Sequence, residues 1–275
     1  MPIAKIIDDN TIEVYDLTQF DVDAIMHSGQ VFRYFAIENG YQLIVGNHFA
    51  DIVQDKNDNK IIIKCDNSTY FYNYFDFDTD YNAIKNSLSE YKKMIPAIKA
   101  GDGIRILKGE FVEMVLSFII SANNNIKRFT KTLNLLAERY GDKLAYGKYA
   151  FPALKQLKNV TEADFKELGC GYRSVYLVKA IEQLKNINIE QLKKLSNKEL
   201  QKALCQITGI GPKVANCVML FCGDFNRLDI APQDTWINKA LEQLGDDGEV
   251  LLNHKYAGIA QQYIFYFLQY LRKEI

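Results

Sequence analysis

The chain has 275 residues, 48% of them hydrophobic and 24% charged, with a formal net charge of −1. That balance suits one or two globular domains with a sizeable core and excludes a disordered or low-complexity chain. No apolar run approaches the ~20 residues needed to cross a bilayer, and "MPIAKIIDDN" lacks the basic-then-apolar order of a secretory signal, so a cytoplasmic protein without a membrane partner is expected.

Charge is unevenly divided. Residues 1–80 carry 5 Lys and Arg against 14 Asp and Glu, whereas the remainder carries 28 against 20, so a polyanion would be drawn to the later part. Chance surface composition accounts for the same split equally well. Five cysteines (Cys65, Cys170, Cys205, Cys217, Cys222) lack CxxC spacing and read as thiols of a reducing compartment. Zinc and iron-sulfur sites are disfavoured, and no cysteine follows Cys222 to complete a four-cysteine cluster near the end.

In chain order, "VFRYFAI" and "YQLIVG" flank Asn39-Gly40, and "KIIIKC" follows "NDN". Short Val-, Ile-, Tyr- and Phe-rich runs separated by turn residues predict an antiparallel β unit. "FYNYFDFDTDY", with its alternating aromatics, is expected to be a strand leading into a loop. From about residue 104 the apolar spacing changes to three and four. "EFVEMVLSFIISA", "IKRFTKTLNLLAERYG", "SVYLVKAIEQLKN" and "AGIAQQYIFYFLQYLRKEI" predict helices, with Gly141 ending one of them. The asparagine triplet Asn123-Asn124-Asn125 reads as a helix boundary, and "GYR" as a glycine break before a new start. The expectation is an α+β protein, with an antiparallel β-sheet domain over 1–100 packed on a mostly helical domain over 101–275.

One helical passage carries chemistry. "SNKELQKALCQI" has a serine cap signal, "TGIG" breaks it, and "PKVANCVMLF" restarts with Pro212 in the first turn, where its missing donor costs nothing. Helix, hairpin, helix: the turn and the new first turn offer backbone amides at Gly209, Gly211 and Val214 to a phosphate. A nucleotide-binding P-loop is rejected, because that motif needs four residues between its glycines and Ser or Thr where Val214 follows Lys213. In the first turn the helix dipole, and expected burial by Val214 and Cys217, favour a neutral, nucleophilic Lys213. A solvated lysine touching a phosphate is the bland alternative. Asp234, just before "TWINKALEQL", has the place of a helix cap.

The hairpin together with "DFNRLDIAPQDTW", which contains Pro232 and Asp234, resembles the helix-hairpin-helix/Gly-Pro-Asp superfamily of DNA glycosylases. "HSGQVFRY", "SFIISANNNIKRF", "ELGCGYRSVYL" and "YAGIAQQYIF", in the right order over most of the chain, narrow the resemblance to the 8-oxoguanine DNA glycosylase family. That resemblance implies a bifunctional glycosylase and AP lyase of base excision repair. Its partner is duplex DNA containing 8-oxoguanine, preferably opposite cytosine; it acts as a monomer and needs no metal or organic cofactor.

The resemblance also implies roles. Lys213 attacks the sugar of the flipped nucleotide, and Asp234 stabilises the positive charge that grows there. Phe265 stacks on the flipped purine, Cys217 lies against the face of the extruded base, Gln261 reads its Watson–Crick edge, and the Gly29 carbonyl accepts from the N7 hydrogen that guanine lacks. Asn123 fills the vacated stack, Tyr172 acts as a wedge, and Arg128 and Arg173 hold the orphaned cytosine. For Phe265 and Cys217, core packing is the ordinary alternative. The chain departs from the better-known eukaryotic members at Trp236, where they carry histidine, and at Leu268, where they carry an acid; a polar network from those positions to Arg33 is therefore not expected. A monofunctional alkylated-base glycosylase and a non-catalytic hairpin that grips DNA remain as alternatives, the first opposed by Lys213 and the second by Asp234 and Gln261.

Overall fold

The computed structural model describes residues 3–55, 58–244 and 246–271. They form two compact units, each discontinuous in sequence: one drawn from the described residues within 1–43, 50–108 and 227–275, the other from those within 44–49 and 109–226. No helix among the described residues is long and apolar enough to cross a membrane.

The chain begins with strands β1 (Ala4–Asp8) and β2 (Thr11–Val14), helix α1 (Val22–His27), and strands β3 (Tyr34–Ile37), β4 (Gly40–Val45), β5 (His48–Asp55) and β6 (Lys60–Cys65), of which residues 44–49, at the β4–β5 connection, belong to the second unit and the rest to the first. These strands make a six-stranded antiparallel sheet in the order β1-β2-β6-β5-β4-β3, as the hairpin grammar predicts. Its apolar rows, including Ile12, Val14, Leu43, Ile52, Ile61 and Ile63, are buried. The β3–β4 turn is shifted from the expected one: Ile37 pairs with Gly40, and the positive φ of 60° falls on Asn39. Gly40 is required for space instead, since a Cβ there would lie 1.9 Å from the Ile52 carbonyl oxygen.

Helices α2 (Ser68–Tyr74), α3 (Tyr81–Leu88) and α4 (Ile95–Ala100) follow. The strand expected within "FYNYFDFDTDY" is not formed: α2 runs into this passage, and a turn follows. Asn67 caps the helix by accepting from the Tyr70 amide at 2.9 Å. The aromatics meet at helical spacing, with Tyr70 stacked on Tyr74 and Phe71 packed on Tyr74 and Phe75. Behind them the fully buried Arg105 donates to the carbonyls of Gln19, Phe75, Asp76 and Thr79, with its guanidinium 4.1 Å from the Tyr81 ring centroid. Helices α13 (Thr235–Leu244), α14 (Asp246–Leu252) and α15 (Ala257–Leu271), in their numbering after those of the second unit, complete this unit, and α15 packs on α4.

The second unit is helical: α5 (Phe111–Ser121), α6 (Ile126–Tyr140), α7 (Leu154–Leu157), α8 (Glu162–Glu167), α9 (Arg173–Leu184), α10 (Ile189–Leu192), α11 (Asn197–Leu204) and α12 (Pro212–Phe221). Helix α5 buries all but two of its 11 residues, as a helix apolar on every side must, and α6, α9 and α12 pack around it. Asn125 caps α6, accepting from the Arg128 amide at 2.8 Å, so the asparagine triplet is the helix boundary expected. None of the five cysteines is in a disulfide. Burial pushes the Cys65 thiol up to about 11 and the Cys170 thiol to about 12, so both are inert structural thiols at neutral pH.

Candidate active site

The hairpin is built as its sequence indicates. Ser196 and Glu199 close a capping box at the start of α11, the serine hydroxyl donating to the glutamate at 2.6 Å. Pro212 occupies the first turn of α12, and Gly211 is the N-cap, with no side chain capping that turn. The two glycines serve different needs. Gly209 has φ +91°, and a Cβ on it would come within 3.1 Å of the Tyr176 Cβ and 3.3 Å of Ile119. Gly211 has an ordinary φ of −93° and nothing within 4 Å of its Cβ position. The chain's own geometry would accept a side chain there.

Lys213 stands in the first turn of α12 and is exposed, Val214 is half-buried, and Cys217, one turn on, is buried. The burial expected around the lysine is not observed. A residue overlooked in the sequence fixes the turn: Gln183 of α9 accepts from the Thr208 amide at 2.7 Å and donates to the Gln206 carbonyl at 2.9 Å. A polar residue on an amphipathic helix gives no sequence signal of such a clamp.

Asn123, Tyr172 and Arg173 come together at the junction of α5, α6 and α9. Asn123 adopts φ +49°, an uncommon left-handed conformation. Arg173 is only 5% exposed; its guanidinium donates to the carbonyls of Ala122 and Asn123, the latter at 2.8 Å, and lies 4.5 Å from the Tyr172 ring centroid. Arg173, expected to face DNA, is therefore engaged with the asparagine loop. Tyr172 is 55% exposed and meets Tyr176 edge-on at 6.0 Å. Arg128 is exposed and reaches the Gly169 carbonyl at 3.4 Å.

In the first unit, Asp234 is the α13 cap that its position indicated: its carboxylate accepts from the Ile237 amide at 2.9 Å, and its carbonyl from the Asn238 amide at 2.8 Å. The Trp236 side chain lies outside the described residues. Gly29 and Phe265 are brought together, since a Cβ on Gly29, whose φ is +80°, would lie 2.9 Å from the Phe265 ring. Gln261, one turn before Phe265, is 7% exposed, and its Oε1 is buried without a hydrogen-bond donor. A buried acceptor left unmatched is costly, and an incoming N–H would satisfy it. The neighbouring Gln262, absent from the sequence reading, donates to the Ser28 carbonyl and so ties down the loop that presents Gly29. Gln30 tightens the same loop by donating to the Arg105 carbonyl and accepting from the Leu107 amide, each at 2.8 Å. Among the described residues no cluster of His, Cys, Asp and Glu has the arrangement of a metal site.

A glycine-turned hairpin with a lysine in its second helix, followed by a capping aspartate, defines a class: residues 116–250 match the model of the HhH-GPD superfamily base excision DNA repair protein. Residues 14–115 match the 8-oxoguanine DNA glycosylase N-terminal domain. The fold superposes on the Clostridium acetobutylicum 8-oxoguanine glycosylase/lyase, solved with DNA containing cytosine opposite 8-oxoG, with TM-score 0.87 and 32% identity over 98% of this chain and 97% of that one. The chain belongs to the 8-oxoguanine DNA glycosylase family. It is 33% identical over 144 residues to the Arabidopsis thaliana N-glycosylase/DNA lyase OGG1, covering 49% of this chain and 39% of the plant protein. A Saccharomyces cerevisiae N-glycosylase/DNA lyase is 31% identical over 195 residues, covering 62% and 50%. The chain therefore spans half or less of the length of these two relatives. An Archaeoglobus fulgidus 3-methyladenine glycosylase shares the fold alone, at TM-score 0.70 and 16% identity.

Proposed function

We propose that the chain is a bifunctional DNA glycosylase and lyase that removes 8-oxoguanine from duplex DNA, with cytosine the preferred opposite base, acting as a monomer without metal or organic cofactor. The observation that carries this reading is Lys213, exposed in the first turn of a helix whose N-cap glycine has open space above it, in a chain of this family. The amides of Gly209, Gly211 and Val214 grip a backbone phosphate at the helix start and bring the damaged sugar to the lysine.

A stacked base is out of reach, so the nucleotide is swung out at a cost of a few kcal/mol. Phe265 and Cys217 recover part of that cost by lying against the base faces. The orphaned Gln261 Oε1 accepts from the Watson–Crick edge, and the Gly29 carbonyl accepts from the N7 hydrogen. The Lys213 amine nitrogen then forms a bond to C1′ while the bond from C1′ to the base breaks, the electron pair leaving with the base and the proton shed by the amine passing to it. Asp234 stabilises the positive charge that develops on the sugar. Opening of the sugar ring gives a Schiff base; loss of a C2′ proton then expels the 3′ phosphate. On the other strand, Asn123 and Tyr172 fill the gap, while Arg128 and Arg173 donate to cytosine. Arg173 does this by exchanging the Ala122 and Asn123 carbonyls for the acceptors of the base.

Borohydride trapping on duplexes with 8-oxoguanine opposite each of the four bases tests the reading. The expected result is a covalent adduct on the peptide holding Lys213, formed fastest opposite cytosine. Lys213→Gln abolishes it and slows base release by about a thousandfold or more. A trapped adduct elsewhere, or full activity in the variant, overturns the mechanism; equal rates opposite all four bases overturn the cytosine preference.

A further inference from the structure

We propose that Tyr176 is a positioning residue that transmits the identity of the opposite base to the hairpin bearing Lys213. This inference rests on the glycosylase reading. Tyr176 lies on α9 between the two clusters that the reaction must bring into step. On one side, its ring meets Tyr172 edge-on with centroids 6.0 Å apart and planes at 81°. Tyr172 in turn lies under the Arg173 guanidinium, which holds the Asn123 carbonyl. On the other side, the Cβ of Tyr176 abuts Gly209 so closely that a Cβ there would be 3.1 Å away. Ile119 presses the same glycine from α5, leaving it little room to move.

The close packing is at Gly209, which lies against the Tyr176 Cβ and Ile119, and there a displacement of the tyrosine backbone is passed to the turn. When Tyr172 shifts to accommodate the base left opposite the gap, the Tyr176 ring must shift or tilt, and its Cβ is set against the turn four residues before Lys213. Gln183, two turns further along α9, holds residues 206 and 208 of that turn to the same helix. Helix α9 thus carries the wedge at its start and grips the nucleophile's turn through Tyr176 and Gln183. A fitting cytosine leaves the turn in its productive position, whereas a mismatched base displaces it. The consequence is discrimination in the rate of chemistry, not only in binding.

A ring that is 40% exposed can be altered without emptying the core. Single-turnover base release, with enzyme saturating, is measured on duplexes with cytosine or adenine opposite 8-oxoguanine for the wild type, Tyr176→Leu and Tyr176→Phe, with thermal midpoints alongside. Tyr176→Leu is expected to lower the cytosine-to-adenine rate ratio by about fivefold or more, a typical coupling between sites. Tyr176→Phe, which keeps the ring and both contacts, retains the ratio. Should Tyr176→Leu fail to fold, Tyr176→Met makes the same comparison. A merely structural role lowers the midpoint and slows both duplexes equally, so an unchanged ratio overturns the inference. A wild type that releases base at one rate from both duplexes also overturns it but leaves the glycosylase reading standing. A wild type that releases no base removes both.

Discussion

Gly209 and Gly211 are two residues apart and look alike in sequence, yet only one is required by the fold. Replacing Gly209 with alanine forces a side chain into φ +91° and against Tyr176, at a cost of about 1–3 kcal/mol. Replacing Gly211 meets no neighbour, so its effect on stability stays within about 1 kcal/mol. The expectation is that Gly209→Ala lowers the thermal midpoint clearly, whereas Gly211→Ala keeps it and weakens duplex binding. Thermal melts and a binding titration check both; a Gly211→Ala variant that binds as tightly as the wild type removes the phosphate role of the turn. The sequence marked both glycines and the lysine because turn chemistry is local. It gave no sign of Gln183 or Gln262, whose partners are backbone groups brought near only by folding.

At the scale of elements, the long helices α5, α6, α9, α11, α12 and α15 were legible because their apolar spacing is unambiguous. Helix α2 was not, since an aromatic run satisfies alternation and helical spacing alike, and the decision falls to the Asn67 cap and to the partners in the core. The link between α14 and α15 carries a titrating contact. His254 Nδ1 accepts from the Tyr256 amide at 3.1 Å, so Nε2 carries the proton and donates to Ser87 at 3.3 Å. Burial, followed by the charge of Lys255, holds this imidazole below its ordinary value. The neutral form is favoured in the fold, so its contribution to stability is complete above about pH 6.5, where the unfolded imidazole is also neutral. That contribution is lost as pH falls through the lower folded value. The thermal-midpoint advantage of the wild type over His254→Gln is therefore expected to shrink between pH 7.5 and pH 5; a constant advantage overturns this role.

At the scale of the whole molecule, the uneven charge becomes a testable attraction. Around Arg128, Lys127 and Lys131 are exposed on α6 and make no ion pair among the described residues. If they meet phosphates, Lys127→Ala with Lys131→Ala lowers the slope of log affinity against log salt by about two and leaves the preference for the lesion unchanged. An unchanged slope in binding titrations places the DNA elsewhere. Family and fold class were legible because separate segments agreed. Periodicity reports where an element lies and is silent on which distant segment completes its core, so the return of residues 227–275 to the early unit is seen only in the fold. That return of the late chain to the early unit matters at the glutamine pair of α15: one glutamine ties down the loop before Gly29, and its neighbour leaves a buried oxygen waiting. Consecutive helical positions differ by about 100°. A single-codon insertion or deletion just ahead of the pair would thus rotate both glutamines out of place together, so the spacing of that first turn should tolerate substitution far better than any change in length.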